Sequence, residues 1–360
     1  MRTEERIAIA IGIGTVSLNL YAFPTSASLF EAMGNILKYF SFSLAGNDFF
    51  SLFFLFGYGF LVWVFCRAVA NYISLKIFRT EFTPAIAWHK LRKILGDCGR
   101  GILVIALVSL PFTILLENLN YAMRYAGKDL VLWHLDDLLL HGQSFLVLPF
   151  FFHHALFTYI FWGAYASLPL AIGGIFIFLF IHSRHRTFRT AILSFILSIP
   201  LSFPLFASVP CQDPGNFYLK NLRGNTFPSY IVKELKTYSA NPETLRYIAQ
   251  LETSETVPKK DSSVPISCFP SMHAVWAILC CLFIWDRGRY IRVLATLWLI
   301  TLLLGGLYLA QHYVIDYIVA IPIAGISFAI ARILLKKELG NGLNGKNVGV
   351  KNQVRETFLP

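Results

Sequence analysis

Long apolar runs without charged residues recur along this chain, and they constrain its fold more than any other feature. The sequence is 56% hydrophobic and only 14% charged over 360 residues, whereas soluble domains carry about 25% charged residues. Several runs reach the roughly 17–25 residues that a helix needs to cross a bilayer. Because a helix satisfies its own backbone hydrogen bonds, which lipid cannot do, we predict an all-α integral membrane protein.

We predict about eight transmembrane helices from these runs. They span residues 7–23, 49–65, 101–116, 154–181, 190–208, 271–285, 293–310 and 317–335. Residues 1–100 then hold two helices and a cytoplasmic linker, residues 101–338 form a six-helix catalytic core with a polar loop at 209–266, and residues 339–360 form a flexible tail. The first run could instead be a signal peptide, although Glu4 and Glu5 weaken the basic start that such a peptide requires.

The distribution of charge indicates the orientation of the helices. With the N-terminus inside, most of the 31 Lys and Arg residues fall on the cytoplasmic side, as the positive-inside rule requires. Most acidic residues fall on the other side. The net charge of +11 therefore reflects position relative to a membrane and not a nucleic-acid partner. We expect both termini to be cytoplasmic in a plasma membrane such as the bacterial inner membrane.

Two short motifs place ionisable residues at helix ends on the exterior side. They are Pro-Ser-Met-His at 270–273 and His-Tyr-Val-Ile-Asp at 312–316. Asp316 would orient His312 as a nucleophile, and His273 would protonate a leaving group. Ser271 would donate to a phosphate at the helix N-terminus. Each motif alone also fits a helix cap or a local ion pair, but their shared position in a membrane favours a functional site.

The order of these motifs resembles the type-2 phosphatidic acid phosphatase superfamily of membrane lipid phosphatases and phosphotransferases. The resemblance covers about residues 101–335, where the last six predicted helices correspond to the family core. It implies His312 as nucleophile, Asp316 as its orienting partner and His273 as acid for the leaving group. It also implies a lipid-linked phosphate as substrate, water or an alcohol as acceptor, and no metal or cofactor.

The chain departs from the family pattern where arginines normally clamp the phosphate. The family's Ser-Arg pair before the second histidine is replaced by Gly305 and Gly306. Its Lys-x6-Arg-Pro block is matched only in part at 220–228, where phenylalanine replaces the arginine. Other donors must then hold the charge. Lys220 and Arg223 are candidates, although each also fits a solvated loop charge. Without the arginine, the chain is more similar to the inositol phosphorylceramide synthase and sphingomyelin synthase branch, whose members pass phosphoryl headgroups between lipids.

Three further features have more than one interpretation. Cys211 and Cys268 bracket the polar loop, and they form either a disulfide over the site or two thiols. Residues 130–140 are predicted to form a helix in the membrane interface with Trp133 at headgroup depth. Four polar residues lie on or next to that helix: His134, Asp136, Asp137 and His141. They form either a metal site or, as we prefer, a set of interfacial polar residues.

The leading hypothesis is a lipid phosphotransferase or phosphatase that works through a phosphohistidine at the exterior face. The alternative within the same class is a plain phosphatase acting on phosphatidate or an isoprenoid diphosphate. Alternatives from other classes are a transporter and a catalytically inactive membrane scaffold. A transporter would carry ionisable groups near the bilayer midplane and broken helices in paired halves, and the sequence shows neither pattern.

Overall fold

The regular structure in the described part of the chain is helical. The computed structural model describes residues 2–22, 84–123, 128–152, 154–182, 185–215, 217–218 and 268–356. A short 3-10 turn at Trp285–Arg287 precedes the ninth helix. The helices are α1 (Thr3–Ala22), α2 (Pro84–Met123), α3 (Asp129–Leu140), α4 (Ser144–Phe151), α5 (Ala155–Ala166), α6 (Leu168–His182), α7 (His185–Ser208), α8 (Met272–Ile284), α9 (Arg289–Tyr308) and α10 (Val314–Glu356).

Among the described residues, four helices are long and apolar enough to cross a membrane, which fits the predicted all-α membrane architecture. The apolar segments are Gly99–Leu116 in α2, Arg186–Ser208 in α7, Arg289–Tyr308 in α9 and Val314–Glu338 in α10. The pair α5 and α6, bent by 47°, makes a fifth if it is one span. These segments overlap five of the predicted spans.

The predicted total of eight spans stays a prediction. Helix α1 is not among the candidate spans, and the predicted span 49–65 lies outside the described residues. Helix α8 has only 13 residues, fewer than a full crossing needs.

The last helix extends into the predicted C-terminal tail. Residues 339–360 were predicted to form a flexible tail, and α10 continues to Glu356; the flexibility of this segment stays a prediction. No proline interrupts the chain between Pro322 and Pro360, so a helix that is already established can add residues one by one without the cost of a new nucleus.

The core lies where α10 packs along α7 and α8. Ala320, Ala324 and Ala331 are fully buried on α10, and their spacing places them on one face of the helix. Small residues let helix backbones approach closely in membrane proteins. They face a buried cluster to which α7 contributes Leu193 and Ile196. Helix α9 packs mainly against α5.

One end of the bundle is held by a terminal ion cluster made of Arg189, Glu4 and Glu338. The Arg189 guanidinium donates from Nε and Nη2 to the two Glu4 carboxylate oxygens, at 2.6 Å each. Its Nη2 also lies 2.8 Å from Glu338 Oε2. The cluster joins the start of α1, the start of α7 and a later turn of α10. Asp316 lies in the first turn of α10, about 33 Å from Glu338 at about 1.5 Å per residue.

Helix α3 packs into the fold through one face. The Trp133 side chain is only 1% exposed and stacks on Tyr218 with ring centroids 6.4 Å apart. Trp133 shares the buried face of α3 with Leu132 and Asp136, so other parts of the protein cover its ring, and its position at headgroup depth stays a prediction. At the start of α3, Asp129 Oδ1 accepts the Gln212 N–H at 2.6 Å.

Candidate active site

A tight turn between α9 and α10 places His312 in the site. The Gln311 N–H donates to Gly306 O at 2.9 Å, and the Ala310 N–H donates to Leu307 O at 3.1 Å. Ala310 has φ 56°, so the pattern is a Schellman ending with alanine where glycine is usual. The left-handed conformation costs alanine about 1 kcal/mol. The Gly215 N–H donates to Ala310 O at 3.0 Å and helps to hold the turn.

The first turn of α10 is capped by two carboxylates. Asp136 accepts the Val314 N–H at 2.9 Å and the Ile315 N–H at 3.2 Å, and Asp316 accepts the Tyr313 N–H at 2.8 Å. These bonds satisfy donors that a helix start leaves without partners. Asp136 is 1% exposed, so its carboxylate faces the protein interior and does not belong to a polar outer surface of α3. Burial raises the pKa of Asp136 to about 6, against the lowering effect of the two backbone bonds.

His312 and Asp316 are paired in the buried interior of the site. His312 Nδ1 lies 3.1 Å from Asp316 Oδ2, and the two residues are 6% and 0% exposed. Because Nδ1 faces a carboxylate, it carries the ring proton and leaves a lone pair on Nε2. His312 precedes the first residue of α10. The pair is therefore made by the turn before α10 and the first turn of α10 itself.

Two hydroxyl groups converge on the free nitrogen of His312. Ser271 Oγ lies 3.1 Å from His312 Nε2, and Tyr165 OH lies 3.2 Å from it. Ser271 is also the N-cap of α8, where its Oγ accepts the Ala274 N–H at 3.2 Å. The start of α8 and the end of α5 thus face the same imidazole edge.

His273 lies next to the same imidazole. Its ring centroid is 5.8 Å from that of His312, and its ring stacks on Tyr165 at 4.5 Å with an interplanar angle of 15°. The structure therefore brings together four of the predicted site residues, which we call the histidine site: Ser271, His273, His312 and Asp316. The other two candidates, Lys220 and Arg223, lie outside the described residues.

Cys268 contributes a thiol to the histidine site. Cys211 and Cys268 are free and buried, so the structure has two thiols there and not a disulfide. Cys268 Sγ lies 3.0 Å from Asp316 Oδ2 and 3.3 Å from Gln311 O, which gives its S–H two acceptors. Cys268, His312 and Asp316 bring one ligand atom each within 4.8 Å of one another. That donor set is one Zn²⁺ accepts, although these hydrogen bonds also account for the grouping.

Sequence reasoning missed several residues of this site. Asp136 follows Trp133 by three positions in α3, and such residues share a helical face. A buried tryptophan would therefore have indicated a buried aspartate. Tyr165 and Tyr317 lie in apolar runs and gave no comparable signal. Cys268 was considered only as half of a disulfide.

Comparison with known proteins gives a match at the level of a family. No curated protein and no solved structure matches the chain. The sequence model of the PAP2 superfamily matches residues 131–330. This range covers more than half of the chain and the whole histidine site, and the chain therefore belongs to the PAP2 superfamily.

Proposed function

We propose that this protein is a membrane lipid phosphotransferase or phosphatase whose reaction passes through a phosphohistidine on His312. Membership of the PAP2 superfamily supports a phosphatase or phosphotransferase of lipid phosphates. The observation that carries the finer proposal is the environment of the His312 ring. Nδ1 is bound to Asp316, while Nε2 faces two hydroxyl groups. Burial also lowers the pKa of His312, which keeps the imidazole neutral and nucleophilic.

In the first half-reaction, the lone pair on His312 Nε2 attacks phosphorus. A P–N bond forms while the P–O bond to the leaving group breaks. Asp316 stabilises the positive charge that develops on the imidazole, and His273 gives a proton to the departing oxygen. The negative phosphate favours the protonated form of His273 before this step. Ser271 and the α8 N-terminus bind phosphoryl oxygens.

In the second half-reaction, an acceptor oxygen attacks the phosphohistidine. His273 removes the acceptor proton, the P–N bond breaks, and His312 is restored. Water as acceptor makes the protein a phosphatase, and a lipid alcohol makes it a transferase. We propose transfer of a phosphodiester headgroup. Gly305 and Gly306 replace the Ser-Arg pair of the phosphatases, and in this respect the chain resembles the inositol phosphorylceramide synthase branch.

We also propose that the histidine site faces the exterior of the cell. The terminal ion cluster gathers Glu4 and Glu338 at one end of the bundle, and Asp316 lies about 33 Å along α10 from that end. With cytoplasmic termini, as the positive-inside rule indicates, the site falls on the opposite side. The proposed location is a plasma membrane, such as a bacterial inner membrane.

Trapping the covalent intermediate tests the role of His312. Purified protein is mixed with a phospholipid that carries ³²P in its phosphate and is then denatured in alkali, which preserves phosphohistidine. We expect labelled wild-type protein, no label on His312→Asn, and longer-lived label on His273→Asn. His134→Asn, a change at an exposed position of α3, is the control and should label normally. Normal labelling of His312→Asn would exclude the proposed nucleophile.

A second measurement decides between transfer and hydrolysis. The labelled phospholipid is supplied together with ceramide as the lipid alcohol, and the products are separated. Label in a new lipid supports the transferase, whereas label only in a water-soluble phosphate supports a plain phosphatase.

A further inference from the structure

We propose that the hydroxyl groups of Tyr165 and Tyr317 bind the phosphoryl oxygens of the substrate, in place of the arginine that this chain lacks, and thereby favour a lipid phosphodiester. This inference rests on the proposed reaction at His312. It adds two substrate-binding residues from two helices, and it identifies the charge of the preferred substrate.

The space beside Gly306 is the first line of support. A Cβ atom at Gly306 would collide with the Tyr317 hydroxyl and would lie 3.0 Å from Tyr165 Cε2. The two tyrosines therefore occupy the space into which a side chain at 306 would begin. Glycine is required there because α5 and α10 bring their rings so close to the backbone of α9. An arginine at 306 and these tyrosines are mutually exclusive in this packing.

The position of Tyr165 is the second line of support. Its hydroxyl lies 3.2 Å from His312 Nε2, the atom that attacks phosphorus in the proposed reaction. A donor this close to the nucleophile is next to the oxygens of any phosphoryl group that reaches it. The Tyr165 ring stacks on His273, so the same side chain also positions the acid.

The state of Tyr317 is the third line of support. Its hydroxyl is buried and has no hydrogen-bond partner within the described part of the chain. Its ring centroid is 5.6 Å from that of His312. Buried polar groups are nearly always bonded, and one without a partner requires an explanation. A phosphoryl oxygen bound beside His312 would supply the missing acceptor.

Two phenol groups suit a singly charged phosphate better than a doubly charged one. Neutral donors stabilise the charge on the non-bridging oxygens through hydrogen bonds and transfer no proton when the P–N bond forms and the P–O bond breaks. A buried dianion requires more compensation than a monoanion. These residues therefore favour a phosphodiester over a phosphomonoester with the same lipid chains.

Phenylalanine substitutions test the two hydroxyls. We expect Tyr165→Phe and Tyr317→Phe each to lower kcat on a labelled lipid phosphodiester by about 10²-fold, as loss of one transition-state donor does. The melting temperature of Tyr317→Phe should not fall, because no hydrogen bond of the folded protein is lost. Tyr308→Phe is the matched control, since its buried hydroxyl bonds to Thr158 at 2.7 Å. It should lower the melting temperature and leave kcat unchanged.

The outcomes separate this inference from the proposed reaction. Unchanged kcat in both Tyr165→Phe and Tyr317→Phe would overturn the assignment of the hydroxyls, while loss of label in His312→Asn would still support the phosphohistidine. For substrate class, we expect kcat/KM of the wild type to be at least about tenfold higher for the phosphodiester than for the matched phosphomonoester. A preference for the monoester would overturn that part.

Discussion

The two polar clusters that contact α10, one at its first turn and one at Glu338, are built on different principles. In the terminal ion cluster, Arg189 is shared by Glu4 and Glu338 in direct ion pairs, and Thr3 Oγ1 adds a hydrogen bond to Glu338 at 2.9 Å. In the histidine site, Asp316 Oδ2 has several donors while its Oδ1 has none among the described residues. In the first cluster each carboxylate is paired with the guanidinium, whereas the second contains a buried carboxylate oxygen with no donor among the described residues.

This difference indicates which cluster serves stability and which serves chemistry. Removal of one partner of a buried ion pair leaves an uncompensated charge, which lowers the free energy of unfolding. Polar atoms buried without partners cost free energy, and natural proteins tolerate such a cost chiefly at functional sites. Substitutions in the two clusters should therefore have opposite signatures, one in unfolding and the other in turnover.

The largest expected effect is on turnover at the histidine site. Asp316→Asn should lower kcat by about 10³–10⁴-fold, because an amide no longer holds the proton on His312 Nδ1 in the same way. The melting temperature should fall little. Lipid turnover and thermal unfolding in detergent are the measurements, with Asp137→Asn as the control. Near-normal kcat in Asp316→Asn would contradict the assignment of turnover to the histidine site and of stability to the terminal ion cluster.

The next effect is on stability at the terminal ion cluster. Arg189→Met should lower the free energy of unfolding by about 3 kcal/mol, because Glu4 is left buried without its partner. Activity per folded molecule should stay normal, since the cluster lies about 33 Å from the site. Arg186→Met, at an exposed position of the same helix, should change neither quantity. A fall in kcat at full folding would show that the two ends are coupled.

Asp136→Ala should show both signatures, because Asp136 supports the helix that begins at the site. Loss of its carboxylate leaves two backbone N–H groups without acceptors, which costs about 2 kcal/mol. The displaced first turn of α10 also misplaces Asp316, and we expect kcat to fall about tenfold. Asp137→Ala, next to it on a more accessible face, is the matched control. A change in stability alone would restrict Asp136 to folding.

The smallest effect is a dependence of stability on pH through Asp136. Burial raises the pKa of Asp136 from 3.8 to about 6, so the folded protein binds this proton more tightly than the unfolded chain does. Its contribution is therefore fully present below about pH 4 and is lost as pH rises through about 6. The melting temperature of the wild type relative to Asp136→Asn should fall over that interval and then level off. An opposite slope would contradict the raised pKa.

Local patterns in the sequence predicted the parts of the site that depend on local structure. Apolar runs predicted the four helices, and the one bent pair of helices, that meet the length and hydropathy of a span. The Pro-Ser start of α8 gave its cap, because capping involves residues three apart. Ser271, His273, His312 and Asp316 were all found because they lie at helix ends.

The contributions of α3 and α5 could not be predicted in this way. Asp136 binds the N–H groups of Val314 and Ile315, although it lies 178 residues before Val314 in the sequence. Tyr165 contacts His312 from another helix, 147 residues earlier. Such contacts depend on how helices pack, and hydropathy contains no information on that packing. The burial of Trp133 within the protein was missed for the same reason, since a tryptophan that faces the headgroups and one covered by protein have the same local pattern.

Because α10 is fastened at two points, the distance between them has a consequence for the lipid around the protein. Asp136 holds the first turn of α10, and Arg189 holds Glu338 about 33 Å further along. The hydrocarbon layer of a typical bilayer is about 30 Å thick. A free helix adapts to a thinner layer by tilting, but a helix anchored at two such points transfers the mismatch to its neighbours. Membrane thickness would thus act directly on the spacing between the nucleophile and the residues that surround it.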